Sequence, residues 1–199
     1  MKDIRKLSMR FPVSAVDDRI DEFHVWICGP SDSPYEGGVF QIHVTLPPNY
    51  PYKSPSVGFV TRIMHPNVDT GSGSVCLDVL NARWTPLYGL AHVFETFIPH
   101  LLRYPNPHDP LNSDAARMLI GNEEQYKVQV RRFTSVHASP ENAHLPKDIP
   151  SPFKQLLLQQ SHKEEVGAGI GALVSPTMST RSELVGEVSD EEFSFSDPV

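Results

Sequence analysis

The chain has 199 residues and a formal net charge of −7, and 39% of it is hydrophobic. That length suits one domain with a tail and can bury a real core, while the acidic balance argues against a surface that coats nucleic acid. With 19 prolines and 12 glycines, part of the chain is expected to stay irregular.

The start, Met1-Lys2-Asp3-Ile4-Arg5-Lys6, is charged and has none of the apolar run of a signal peptide. Ile4, Leu7 and Phe11 then recur at helical spacing beside a basic stripe of Lys2, Lys6 and Arg10. A short amphipathic helix is predicted, ending at Pro12. Three strands follow. In Glu22 to Cys28, Phe23, Val25 and Ile27 alternate with His24, Trp26 and Cys28. In Val39 to Leu46, Phe40, Ile42, Val44 and Leu46 alternate with Gln41, His43 and Thr45. Turn residues from Gly29 to Gly38 join these two as an antiparallel pair. Val57 to Val60 is the third strand. One-sided alternation leaves the opposite sheet face open or waiting for a partner.

Residues 61–87 read as mostly irregular. Leu90, Val93, Phe94, Phe97 and Leu101 mark an amphipathic helix whose hydrogen bonding Pro99 must interrupt. No membrane span fits this apolar stretch, because Gly89, His92, Glu95, Pro99 and His100 break it. After a proline-rich bend at 104–110, helices are predicted near Ser113 to Ile120 and Glu123 to Val136, the latter with Tyr126, Val130 and Phe133 on its apolar side. Helix, antiparallel strands, then helices is an α+β order. From 138 to 199 the periodic pattern gives way to prolines, serines, glycines and scattered charge, so a largely disordered extension is expected, acidic from Glu183 onward. A short binding helix at Phe153 to Leu158 is the alternative.

Only two cysteines occur, Cys28 and Cys76, in no metal-ligand spacing. Sequence leaves a disulfide between them open, although reduced intracellular thiols fit better. Around Cys76 the run HPNVDTGSGSVCLDVL places His65-Pro66-Asn67 with Asn67 nine positions upstream, and Trp84-Thr85-Pro86 begins eight positions downstream. On spacing alone, Cys76 reads as a small buried thiol in an apolar strand. The other reading is a nucleophile, since a thiol can carry an acyl group as a thioester.

Six motifs bear on the choice, and they come in order: GPSDSPYEGGVF, PPNYPYKSPSVGF, HPN, Cys-Leu-Asp, Trp-Thr-Pro and PNPHDPLNSDAA. In this order they resemble the ubiquitin-conjugating (E2) enzymes, over roughly residues 1–136. The step from Asn67 to Cys76, SPSVGF and LLRYPNPHDPLNSDAA are most similar to the subclass of human E2 H and its yeast counterpart, whose members carry acidic tails. The resemblance implies the E2 fold: an N-terminal helix, a four-stranded antiparallel sheet and C-terminal helices, in a catalytic domain over 1–137.

It also implies roles. Cys76 would accept ubiquitin from the activating enzyme E1 as a thioester and pass it to a substrate lysine with a RING-type E3 ligase. Asn67 matches an oxyanion donor, or else pins the loop before Cys76. Asp109 matches the gate for the acceptor lysine, against a turn-capping role. Asp78 lines the acceptor channel, and Leu77 and Leu111 wall the cleft. His65, Pro66 and Trp84 are structural. Lys2, Arg5, Lys6, Tyr52, Pro86 and Leu87 fall on the surface that meets E1 and E3; many relatives have Phe at the Tyr52 position. Ser189, followed by Asp190-Glu191-Glu192, fits an acidophilic kinase such as casein kinase 2. No bound cofactor or metal is implied, because E1 consumes the ATP. The setting expected is cytoplasmic, nuclear or both. Two other classes compete: a noncatalytic E2-like binding module, which would lack the nucleophile, and a cysteine hydrolase, whose signatures are missing around Cys76.

Overall fold

A computed structural model describes residues 2–76 and 84–170, with residues 161–170 as backbone only. Leu77 and Asp78 lie outside the described residues, as does the acidic end with Ser189. Helix α1 (Lys2–Ser8) buries Leu7 and is shorter than predicted. It stops before Pro12, where the chain turns into β1 (Val13–Ala15), too short to show alternation in sequence. β2 (Glu22–Cys28), β3 (Val39–Thr45) and β4 (Ser56–Phe59) complete an antiparallel meander in the order β1-β2-β3-β4.

Register puts like faces together. Phe23 opposes Val44, Val25 opposes Ile42 and Ile27 opposes Phe40, while Ile42 also meets Phe59 across β4. These side chains are buried, so the predicted inner face is the core face. Across it runs the helical stretch formed by α2 (Gly89–His92), a π-helical turn (Val93–Phe97) and α3 (Ile98–Arg103). Leu90, Val93, Phe94, Phe97, Ile98 and Leu101 join the same apolar cluster. Pro99 lies in the first turn of α3, directly after the π turn. The helix thus resets its hydrogen bonding where the proline has no N–H to give.

Helices α4 (Ser113–Gly121) and α5 (Glu123–His137) begin at two asparagines. The Asn112 side chain accepts from the Ala115 N–H at 3.1 Å, and Asn122 does the same for Gln125 at 2.9 Å. Such caps satisfy amides that the first helical turn leaves free.

Beyond α5 the structure departs from the expected disorder. The Val39 N–H donates to the Ala138 carbonyl at 2.7 Å, and the Trp26 indole donates to that of Ala143 at 2.8 Å. A 3-10 turn (Pro140–Asn142) leads to α6 (Ser151–Ile170), where Phe153 is fully buried. Trp26, Val39, Ala143 and Phe153 form a second apolar cluster on the outer face of the sheet. The predicted Phe153 to Leu158 segment is therefore part of a longer helix, and its partner is this chain's own sheet. Periodicity missed it because the contact needs few anchors: Leu156 and Leu158 remain exposed. No described helix is long and apolar enough to cross a membrane.

Candidate active site

The site grows from one buried imidazole. His65 has no exposed surface; its Nδ1 accepts from the Asn67 N–H at 2.9 Å, and its Nε2 lies 3.0 Å from the Leu101 carbonyl. Those partners require the tautomer with the proton on Nε2. Burial pushes the His65 pKa down to about 4, against the opposing pull of the Leu101 carbonyl. The ring is thus a neutral brace.

Asn67 is the joint of the site. Fully buried, it donates through Nδ2 to the carbonyls of Asn106 at 2.7 Å and Asp109 at 3.1 Å. Its Oδ1 accepts from the Asn106 N–H at 2.8 Å, and its own carbonyl accepts from the Cys76 N–H at 3.4 Å. One residue thereby connects the segment that carries Cys76 with the bend that carries Asp109. The Pro66 carbonyl adds a second tie, accepting from both Leu111 and Asn112 at 2.9 Å. Both amide protons of Asn67 are engaged by the bend that carries Asn106 and Asp109.

The segment from Asn67 to Cys76 folds back tightly. Asp69 accepts from the Ser72 N–H at 2.7 Å and from its hydroxyl at 2.6 Å, and these bonds hold the Asp69 carboxyl below the usual range. Gly73 has φ +72°, and a Cβ there would lie 2.0 Å from the Phe59 carbonyl oxygen. Only glycine fits. Val68 and Val75 then pair as an isolated bridge, which delivers Cys76 to the surface, half-buried.

Asp109 and Leu111 are exposed on the neighbouring bend. The N-cap of α4 is Asn112, not Asp109. Burial pushes the Cys28 thiol up to about 12, which keeps it protonated near neutral pH. Both cysteines are free.

Farther off, the Trp84 indole donates to the Pro51 carbonyl at 2.9 Å and its ring lies 5.9 Å from that of Tyr50. This fixes the 84–87 segment beside the 50–53 loop. Tyr52 is 81% and Leu87 94% exposed, with Pro86 also exposed. Lys2, Arg5 and Lys6 project from α1.

Two supports escaped the sequence reading. Asn106, whose Oδ1 accepts from the His108 N–H at 3.1 Å, shapes the bend; its signal was the Asn-Pro pair. Tyr35, fully buried, donates to the Met64 carbonyl at 2.8 Å just ahead of His65. Among the described residues, no group of His, Cys, Asp and Glu is arranged to hold a metal.

A family model described as ubiquitin-conjugating enzyme matches residues 1–134. The chain belongs to the ubiquitin-conjugating enzyme family. It is 52% identical over 139 residues to ubiquitin-conjugating enzyme E2 5 of Arabidopsis thaliana, covering 69% of this chain and 75% of that one. To ubiquitin-conjugating enzyme E2-24 kDa of Saccharomyces cerevisiae it is 48% identical over 140 residues, 70% of this chain and 64% of that one. Among solved structures, the E2 domain of a Toxoplasma gondii ubiquitin conjugating enzyme aligns with a TM-score of 0.62 at 33% identity, covering 69% of this chain and 93% of that domain. The E2 fold expected from the motifs is the fold observed, and the protein is a transferase of the ubiquitination machinery.

Proposed function

We propose that Cys76 is the thioester carrier of this E2. Its sulfur attacks the thioester carbonyl that joins ubiquitin to E1; the new carbon–sulfur bond forms as the old one breaks, and the E1 sulfur departs as a thiolate. An ordinary cysteine, with a pKa near 8.5, is already a few per cent thiolate at pH 7. Exchange of one thioester for another needs no histidine base, which fits His65 as a neutral brace.

Transfer to lysine is the harder step. The amine must be neutral, the carbonyl passes through an oxyanion, and collapse expels the Cys76 sulfur while nitrogen gives up a proton. A lysine near pKa 10.4 is almost wholly protonated at neutral pH. Asp109, exposed on the bend tied through Asn67 to Cys76, orients that amine and draws off its proton. Leu111 and Leu77 shield the thioester from water, and Asp78 lines the acceptor's approach. Lys2, Arg5 and Lys6 meet E1 by charge. Tyr52, Pro86 and Leu87 form a RING-ligase surface with α1, so charging and ligase binding alternate. ATP is spent by E1, in the cytoplasm or nucleus.

The observation that carries this reading is the Asn67 link between the Cys76 backbone and the Asp109 backbone. Its test is charging with E1, ubiquitin and ATP on non-reducing gels. A ubiquitin-shifted band that thiol reductant removes, that Cys76→Ala lacks and that Cys76→Ser converts to a reductant-resistant ester is the expected result. A folded protein that forms no band with ubiquitin or a related modifier overturns it.

A further inference from the structure

Between α1 and the β1–β2 hairpin lies a groove of about 380 Å³. Ile4, Val13, Ala15, Ile20 and Phe23 give it an apolar lining, and Ile20 is 69% exposed over it. Arg5 stands on the rim, with Lys2 and Lys6 exposed on the same short helix. Arg19 also borders the groove but is already paired with Asp21 and Glu22, and Asp18 is the acid on this rim. Among the described residues, Lys2, Arg5 and Lys6 have no carboxylate within ion-pair distance. The groove therefore suits an acidic segment with interleaved apolar side chains.

This chain carries such a segment. After Arg181 there is no basic residue, while Glu183, Glu187, Asp190, Glu191, Glu192 and Asp197 alternate with Leu184, Val185, Val188, Phe193 and Phe195. We infer that residues 183–195 dock in cis in the groove between α1 and the β1–β2 hairpin.

Reach permits it. Leu156, Gln159 and Gln160 of α6 border the same cleft as Arg10 and Phe11, just past the end of α1. From Gln160 the helix rises ~15 Å to its end at Ile170. The chain from Ile170 to Leu184 spans up to ~45 Å when extended, enough to return past α1. A connection of that length holds its end at an effective concentration on the order of 1 mM, so even a contact of ~1 mM affinity is half-occupied. Docked there, the tail screens Lys2, Arg5 and Lys6 and competes weakly with E1. That consequence rests on the proposed function; the contact does not.

The test places p-benzoylphenylalanine at position 193 of the full chain, irradiates it without ubiquitin or E1, and maps crosslinks by mass spectrometry. Expected are intramolecular crosslinks to residues 4–23, reduced about fivefold by Lys2→Glu/Arg5→Glu/Lys6→Glu and by salt of about 0.5 M, where the Debye length falls to ~4 Å. These three substitutions are on exposed positions and leave Leu7 in the core. Crosslinks confined to covalent dimers that grow with protein concentration overturn the proposal in favour of a second copy. Crosslinks elsewhere, or crosslinks indifferent to both charge reversal and salt, also overturn it. Loss of charging activity would leave this readout untouched, so the two ideas fail separately.

Discussion

At the scale of single residues, Asn67 and Asp109 share a bend but differ in burial, and that separates their expected phenotypes. Asn67→Ala removes three partly buried hydrogen bonds, to two carbonyls and an amide, a loss of roughly 2–4 kcal/mol. Chemical denaturation checks this. A variant of wild-type stability that discharges slowly would instead assign the amide to the oxyanion alone. Asp109→Ala, at an exposed position, is expected to shift stability by less than ~0.5 kcal/mol. It should charge normally yet discharge to lysine about a hundredfold more slowly, in the range of a lost general base. Single-turnover discharge assays read both steps. His65 gives a pH signature. Its folded pKa of about 4 lies below the ordinary 6.5, so the unfolded chain binds the proton first as pH falls. Stability is full above pH 6.5 and declines toward pH 4, by about 3 kcal/mol from this group. Burial and His43 also lower the His24 pKa, adding the same sign, so the informative quantity is the shallower slope of His65→Gln. Equal slopes in the two proteins would remove His65 as the cause.

At the scale of elements, the sheet has two differently covered faces. The inner face meets the α2–π–α3 stretch through many side chains, whereas the outer face is held by fewer: Phe153 clusters with Trp26, Val39 and Ala143; Leu145, Ile149 and Leu157 pack against that cluster; and Gln160 donates to the Gly29 carbonyl at 3.1 Å. Few anchors make α6 separable. Phe153→Ala deletes the one buried side chain among the described side chains of α6, at a cost of about 3–5 kcal/mol for a buried phenylalanine. That is more than a lightly anchored helix holds, so α6 should detach while the core stays folded. Cys28 borders the cleft beneath α6. Thiol labelling should therefore rise at Cys28 but not at Cys76, and Trp26 fluorescence should shift toward that of a solvated indole. A single global unfolding transition with no selective labelling would show α6 to be part of the core.

For the molecule as a whole, the family match ends at residue 134, yet ordered contacts run on to Gln160. The segment after α5 completes the sheet's outer surface at one end and leaves His24, His43 and Thr45 half-buried elsewhere on it. A chain stopped after His137 exposes Trp26 and Val39 and loses the carbonyl that the Val39 N–H bonds. It should keep the charging reaction but melt several degrees lower and bind a hydrophobic dye, because a tryptophan-centred patch then faces water. Unchanged melting and dye binding would mean that the extension adds nothing to the fold.

The sequence by itself determined the inner half of this protein. Alternation in β2 and β3 and the 3.6-residue period from Leu90 to Leu101 report burial directly, since each needs a continuous apolar face. It also marked Cys76, His65, Asn67 and Asp109 through ordered motifs. Tertiary structure alone decided what those residues do to one another. Asn67 reaches Asn106 and Asp109 across about forty positions, and no local period encodes such a bond. The same holds for α6, whose docking depends on Phe153 meeting Trp26, a pairing of residues far apart in the chain. Local periodicity records which face is buried; a lone anchor or a buried amide takes its meaning only from the partner that folding brings to it.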